Sequence, residues 1–194
     1  KTSHVGSCLS VTDILVALYF DVMNIDPKDP KSSNRDRMIL SKGHSIAALY
    51  GTLAQRGFFP KKVLHEYGKD GAKLASHGVR DALPGIEVST GSGGHGLPIG
   101  VGFALALQRL NNDAKVYVVS GDGEMAGGSV WEAILFAGFH KLSNLKLVID
   151  HNNLQDGQDG LHTNEILDPN PFKEKFHSFH WNVDVVEGHS FEQL

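Results

Sequence analysis

The sequence of 194 residues contains a single cysteine, Cys8. One thiol forms no internal disulfide, so a disulfide-stapled scaffold is excluded and a reducing, cytoplasmic setting is expected. As a side chain, Cys8 reads as a small buried apolar residue. Excess positive charge is also lacking. Eighteen Lys and Arg stand against 22 Asp and Glu, a formal net charge of −4 with no basic stripe, which argues against nucleic-acid and membrane-surface partners. No apolar run reaches the roughly 18 residues that span a bilayer. The leading KTSHVGS has no apolar core of a signal peptide. Internal repeats and low-complexity segments are absent, as is a GxxxxGK[ST] phosphate loop, which argues against a Mg²⁺-dependent nucleotide-binding protein. The hydrophobic share of 41% and charged share of 21% are ordinary for a globular chain, and the length suits one domain with one core.

What is abundant is glycine, at 22 residues, and histidine, at 11. Clustered glycines mark a close approach of backbone to something else; the histidines are open to several readings. The stretch from Lys115 to Gln155 organises the rest. Val116-Tyr117-Val118-Val119 and Leu145-Lys146-Leu147-Val148-Ile149 are strand-like runs with an amphipathic helical segment between them. The first ends in Gly121-Asp122-Gly123 and the second in Asp150-His151-Asn152-Asn153. A β-α-β unit of this kind has parallel strands and a right-handed crossover. Asp122 and Asn152 therefore reach the same carboxyl edge of the sheet, where open α/β sheets bind ligands. A hard divalent cation such as Mg²⁺ takes oxygen ligands of this type together with phosphate oxygens. The fold expected is α/β, a mostly parallel sheet with helices on both faces.

Along the chain, a polar lead-in (1–7) precedes a helix opened by Ser10, with Asp13 completing a capping box and Val11, Ile14, Leu15, Leu18 and Val22 forming its buried stripe. Asp26–Asn34 is turn chemistry. Arg37–Ser41 reads as a strand running through Lys42-Gly43-His44 into a helix over Ser45–Gln55, which places His44 on the edge that carries Asp122. Residues 57–85 read as irregular with a short helix near Lys61–Tyr67. Thr90-Gly91-Ser92-Gly93-Gly94-His95-Gly96 opens a helix over Leu97–Leu110, expected to be buried between the sheet and a partner, and a glycine loop at a helix start suits an anion. Beyond a polar stretch (156–165), Val183–Val186 reads as a strand and Ser190 as the start of a helix, so the chain is expected to be C-terminally incomplete. His177 and His180 have the spacing of half a zinc site without further ligands and read as surface residues. Phe172, Phe176 and Phe179 read as core or interface aromatics.

Taken together, SHVGSCLS, SKGH, the His77 region running to LPGIEVSTG, SGGHG, GDGE with WEA, and DHNNLQ occur in the order found in transketolases. The chain resembles the N-terminal, thiamine-diphosphate-binding subunit of the split, two-chain kind, over essentially all 194 residues. The resemblance implies transfer of a two-carbon ketol unit from a ketose to an aldose, usually as sugar phosphates. It implies that Asp122, Asn152 and the main-chain carbonyl of Leu154 bind Mg²⁺ (or a substituting Ca²⁺ or Mn²⁺) and that Gly123 gives an N–H to the diphosphate. Gly91 and Gly93 would line the aminopyrimidine and thiazolium region. His44 would touch cofactor and sugar hydroxyls, and His4 and His77 would handle protons of the donor. The glutamate that activates the aminopyrimidine is expected on a C-terminal partner subunit, in a heterotetramer of two copies of each chain.

Two departures stand out: Gly127 where such families carry a glutamate of the subunit interface, and Gly93 where a leucine usually lies beside the cofactor ring. His95 replaces a common glutamine and reads as structural. Glu132 keeps the position of an interface glutamate. Within the same cofactor class, a 1-deoxyxylulose-phosphate synthase or a 2-oxoacid dehydrogenase subunit is the alternative; outside it, a non-catalytic subunit that kept the fold.

Overall fold

The structure, a computed structural model, describes residues 4–155 and 161–194. Its centre is a parallel sheet of three strands, β1 (Arg37–Leu40), β2 (Val116–Gly121) and β3 (Leu145–Asp150), ordered β1-β2-β3. Ile39 stands beside Val118 and Val118 beside Leu147 in the register. Every residue of β2 is buried, as expected for a central strand covered on both faces.

Successive side chains of a strand point to opposite faces. Met38, Leu40, Tyr117 and Val119 enter one core, shared with helices α1 (Val5–Ala17) and α2 (Ile46–Arg56). Ile39, Val116 and Val118 enter the other, shared with α3 (Gly96–Arg109) and α4 (Gly128–Phe139). The helices therefore cover both faces, as the α/β reading requires. Two short helices, α5 (Thr163–Leu167) and α6 (Phe172–Ser178), follow β3, and 3₁₀ turns occupy Gly43–Ser45, Lys61–Glu66 and Asp122–Ala126; Phe176 of α6 is 4% exposed and packs on Trp131 and Trp181.

Three local expectations are corrected. Helix α1 begins at Val5, not Ser10, and no capping box forms at Ser10. The Ser10 hydroxyl donates instead to Asp150 at the end of β3, and Asp13 pairs with His189, so both side chains are committed to tertiary partners. The helix ends in a wide turn, Leu18–Val22, closed by Met23 N–H to the Leu18 carbonyl at 2.9 Å. The extra residue per turn rotates the inner stripe, so Tyr19 and Met23 reach the core while Val22 stays 41% exposed. Val183–Val186 forms no strand, and Val185 is 84% exposed: alternation of apolar residues is not enough without an edge to pair with. Ser190 opens a turn closed by Leu194 N–H, with no assigned helix.

Among the described residues one helical stretch, Val5–Val22, is long and apolar enough by length and composition to cross a membrane, although Ser7, Ser10, Thr12, Asp13 and Asp21 interrupt it. Its inner stripe of Val11, Ile14, Leu15 and Leu18 is packed against α2 in the core. Of the polar stretches expected at the chain start and after Gln155, residues 1–3 and 156–160 lie outside the described residues.

Candidate active site

The three strands end side by side, and the loops that leave them form one groove of about 720 Å³. From β1 come Lys42 and His44; from β2 come Gly121, Asp122, Gly123 and Glu124; from β3 come Asn152, Leu154 and Gln155. His4 and Ser7 enter from the start of α1, His77 from the loop before the glycine stretch, and Gly93 from the glycine loop itself. Residues scattered from position 4 to position 155 thus meet because parallel strands deliver all their following loops to one edge. Among the residues expected at the site, His4, His44, His77, Gly93, Asp122, Gly123, Asn152 and Leu154 all line the groove. Gly91 lies one step behind it: a Cβ there would come 3.2 Å from His77 Cδ2, so its lack of a side chain leaves room for the imidazole.

One end of the groove is rich in oxygen. Asp122 is 1% exposed; its Oδ1 accepts from Gly123 N–H at 3.0 Å and its Oδ2 from Asn153 N–H at 2.8 Å. These bonds fix the carboxylate against the β3 loop and leave lone pairs for a cation, since a carboxylate accepts about four hydrogen bonds. Asn152 Oδ1 accepts from Leu154 N–H at 3.0 Å, which curls the β3 loop back on itself. Asn153, between them, takes a left-handed φ of 57°, a conformation asparagine tolerates better than most residues. Gln155 Oε1 is buried without a hydrogen-bond partner among the described residues. Two hard oxygen ligands beside an orphaned buried carbonyl suit a divalent cation and a polar ligand.

The other end holds imidazoles. His44 Nε2 shares a hydrogen bond with the Ser7 hydroxyl at 2.8 Å, and Ser7 pairs in turn with Ser45 at 2.5 Å. The His4 ring lies 5.2 Å from that of His44, and His77 Nδ1 meets Ser76 Oγ at 3.3 Å. Burial pushes the His44 pKa down to about 4, helped by the nearby Lys42 ammonium. At neutral pH His44 is therefore uncharged, with one ring nitrogen able to accept and the other to donate.

Lys42 and Glu124 in the groove, and His151 beside it, received no role from the sequence. Lys42, 3% exposed, makes a 2.5 Å ion pair with Asp150, which is 5% exposed and also accepts from Ser10 at 2.6 Å. Glu124 accepts four hydrogen bonds, from Ser41 after β1, from Ser120 and Gly121 at the end of β2 and from Gly94 of the glycine loop. His151 Nε2 stands 4.0 Å from Asp122 Oδ2. Lys42 sits in the SKGH motif and Glu124 in GDGE, so the signal was present in residue type; the partners lie too far along the chain for spacing to show them.

Comparison with known proteins identifies the family. The family described as "Transketolase, thiamine diphosphate binding domain" matches residues 1–194. The chain is 40% identical over 194 residues to an apulose-4-phosphate transketolase subunit of Phocaeicola vulgatus, covering 100% of this chain and 68% of that protein. It is 41% identical over 192 residues to a 6-deoxy-6-sulfo-D-fructose transketolase subunit of a Clostridium species, covering 98% and 68%. Among solved structures, transketolase from Leishmania mexicana superimposes with a TM-score of 0.83 at 25% identity, over 99% of this chain but 33% of that one. The chain thus spans about two thirds of the subunit-type relatives and about a third of the solved transketolase. With one family description spanning the whole sequence and a groove of the expected composition, the chain belongs to the transketolase family, as its thiamine diphosphate binding domain.

Proposed function

We propose that the 194 residues act as a single cofactor-binding domain of a split transketolase that moves a two-carbon ketol unit from a ketose to an aldose, both carried as sugars or sugar phosphates. The observation that carries this reading is the polarity of the groove, with hard oxygen ligands at one end and three imidazoles at the other. In this reading Asp122, Asn152 and the Leu154 carbonyl hold Mg²⁺, or Ca²⁺ or Mn²⁺ in its place, and Gly123 offers an N–H to the diphosphate. Thiamine diphosphate, when bound, supplies the nucleophilic carbon and the electron sink of the reaction. The chain's own residues bind, orient and move protons. Neutral His44 donates to or accepts from a sugar hydroxyl at Nδ1, with Ser7, bonded to Nε2, selecting the tautomer. His4 and His77 accept the proton of the hydroxyl next to the bond that breaks and return one to the carbonyl oxygen.

The relatives named as subunits support a second polypeptide. We assign to it the activating carboxylate and the other wall of the groove, in a heterotetramer with two copies of each chain in the cytoplasm. The test is reconstitution: this chain, a C-terminal transketolase subunit, Mg²⁺ and thiamine diphosphate are mixed with ketose donors and an aldose acceptor. Two-carbon transfer that needs all four components is expected; absence of transfer with every donor rejects the reading. Pyruvate is included as a donor, since its decarboxylation in place of ketol transfer would move the protein to the 2-oxoacid enzymes.

A further inference from the structure

The glycine loop that walls the groove has few side chains with which to fix itself. Its fixation comes from neighbours. Glu124 Oε1 accepts from Gly94 N–H at 2.8 Å and from the Ser41 hydroxyl at 2.6 Å. Glu124 Oε2 accepts from Gly121 N–H at 2.8 Å and from the Ser120 hydroxyl at 2.8 Å. Ser129 donates to the Gly94 carbonyl at 3.1 Å, and Ser41 Oγ accepts from Gly96 N–H at 3.1 Å. Gly94 has φ +78°, which a residue with a Cβ rarely adopts, so the loop's shape depends on these outside contacts.

We propose that Glu124 is a positioning residue of the cofactor site: by joining the ends of β1 and β2 to the glycine loop, it sets the distance between Gly93 and the Asp122 edge, the two sides between which thiamine diphosphate would be held. This rests on the function proposed above. The carboxylate is suited to the task because it is an acceptor only, with about four lone-pair positions met here by four donors. Two of those donors are hydroxyls, which rotate; the other two are backbone N–H groups of Gly94 and Gly121, which do not. An amide in place of the carboxylate must turn its NH₂ toward one of them, placing donor against donor. Glu124→Gln therefore releases either the glycine loop or the end of β2 while keeping the side-chain volume.

The test uses the complex with the partner subunit. Thiamine diphosphate affinity is measured by calorimetry in excess Mg²⁺, and amide hydrogen exchange is followed at Gly94 and Gly121. Glu124→Gln is expected to weaken cofactor binding about tenfold, the loss of roughly one well-made hydrogen bond, and to speed exchange at one of the two amides. Ser129→Ala, which frees only the Gly94 carbonyl, is expected to weaken binding about threefold. A lowered melting temperature with cofactor affinity within twofold of wild type overturns the inference, because that is what a merely structural residue gives. Unchanged exchange at both amides overturns it as well. Failure of the wild-type complex to bind thiamine diphosphate rejects the functional reading itself, before any variant is compared. Glu124→Gln is nearly isosteric, and should it fail to fold, Ser129→Ala still decides the question.

Discussion

The two edges of the parallel sheet handle buried charge in different ways. Where the strands begin, Arg35 makes a two-pronged contact with Glu87, and Arg37 approaches the same carboxylate at 3.8 Å while donating to the carbonyls of Ser32 and Arg35. Asp36, 5% exposed, takes up the N–H groups of Asn24 and Lys115. Charge meets charge, and the contacts knit the loops to β1. Where the strands end, Lys42 meets Asp150 and Glu124 meets four donors, but beside them Asp122, Asn152, Gln155 and three histidines face an open groove. The chemistry of the side chains is similar at both edges. The difference is whether the network closes on itself, and that separates a structural edge from a working one.

That contrast can be broken from either side. The largest effect is expected at the open edge: Asp122→Ala should weaken Mg²⁺-dependent thiamine diphosphate binding about a thousandfold, about 4 kcal/mol, with the fold kept, as read by calorimetry and circular dichroism. At the closed edge Glu87→Ala leaves two guanidinium groups without their carboxylate. It should cost about 3 kcal/mol of stability in denaturant titration, while cofactor affinity per folded molecule stays as in wild type. If Glu87→Ala altered the affinity and not the stability, the division between edges would be wrong.

Two histidines sharpen the comparison through pH. His44 is held with a pKa of about 4 against an ordinary value near 6.5. Between those values the unfolded chain binds the proton and the folded chain does not, so this contribution is intact above about pH 6.5 and is lost as pH falls toward 4. His44→Asn should flatten the acid limb of a melting-temperature profile over that window. His189 behaves oppositely. Its hydrogen bond to Asp13 at 2.7 Å raises its pKa, so its contribution is present below about pH 6.5 and fades as pH rises through the raised folded value. Both partners are substantially exposed, so Asp13→Asn should give the smallest change of the set, visible only at the acid side of neutrality and reduced by salt.

Much of this arrangement was legible in the residues. The apolar runs that became β2 and β3, the β1 run at Arg37 and the helical spacing of α2, α3 and α4 all follow from local pattern, because these elements bury whole faces. The groove residues were legible as polar and glycine-rich ends of those runs. What pattern could not reach was pairing at a distance. Ser10 looks like a cap and is instead the partner of Asp150; Glu124 looks like one letter of a GDGE turn and is instead a four-way junction. Val183–Val186 misled in the other direction, since alternation promises a strand only if a neighbour is free to receive it. The wide turn at Leu18–Val22 escaped notice because one added residue changes the phase of a stripe without changing its composition.

The hydrogen bond between Ser10 and Asp150 has a kinetic side. It joins the first helix to the third strand across a separation of 140 residues, and Lys42 reaches the same carboxylate from the end of β1. Contacts so distant in sequence form only after most loop-closure entropy has been spent, so the groove is assembled late, when all three strands are already in register. A ligand that recognises this edge is thus selective for completed molecules over partly folded ones. Its binding draws the population toward the finished fold by mass action, and the groove serves as the chain's own sign that folding has ended.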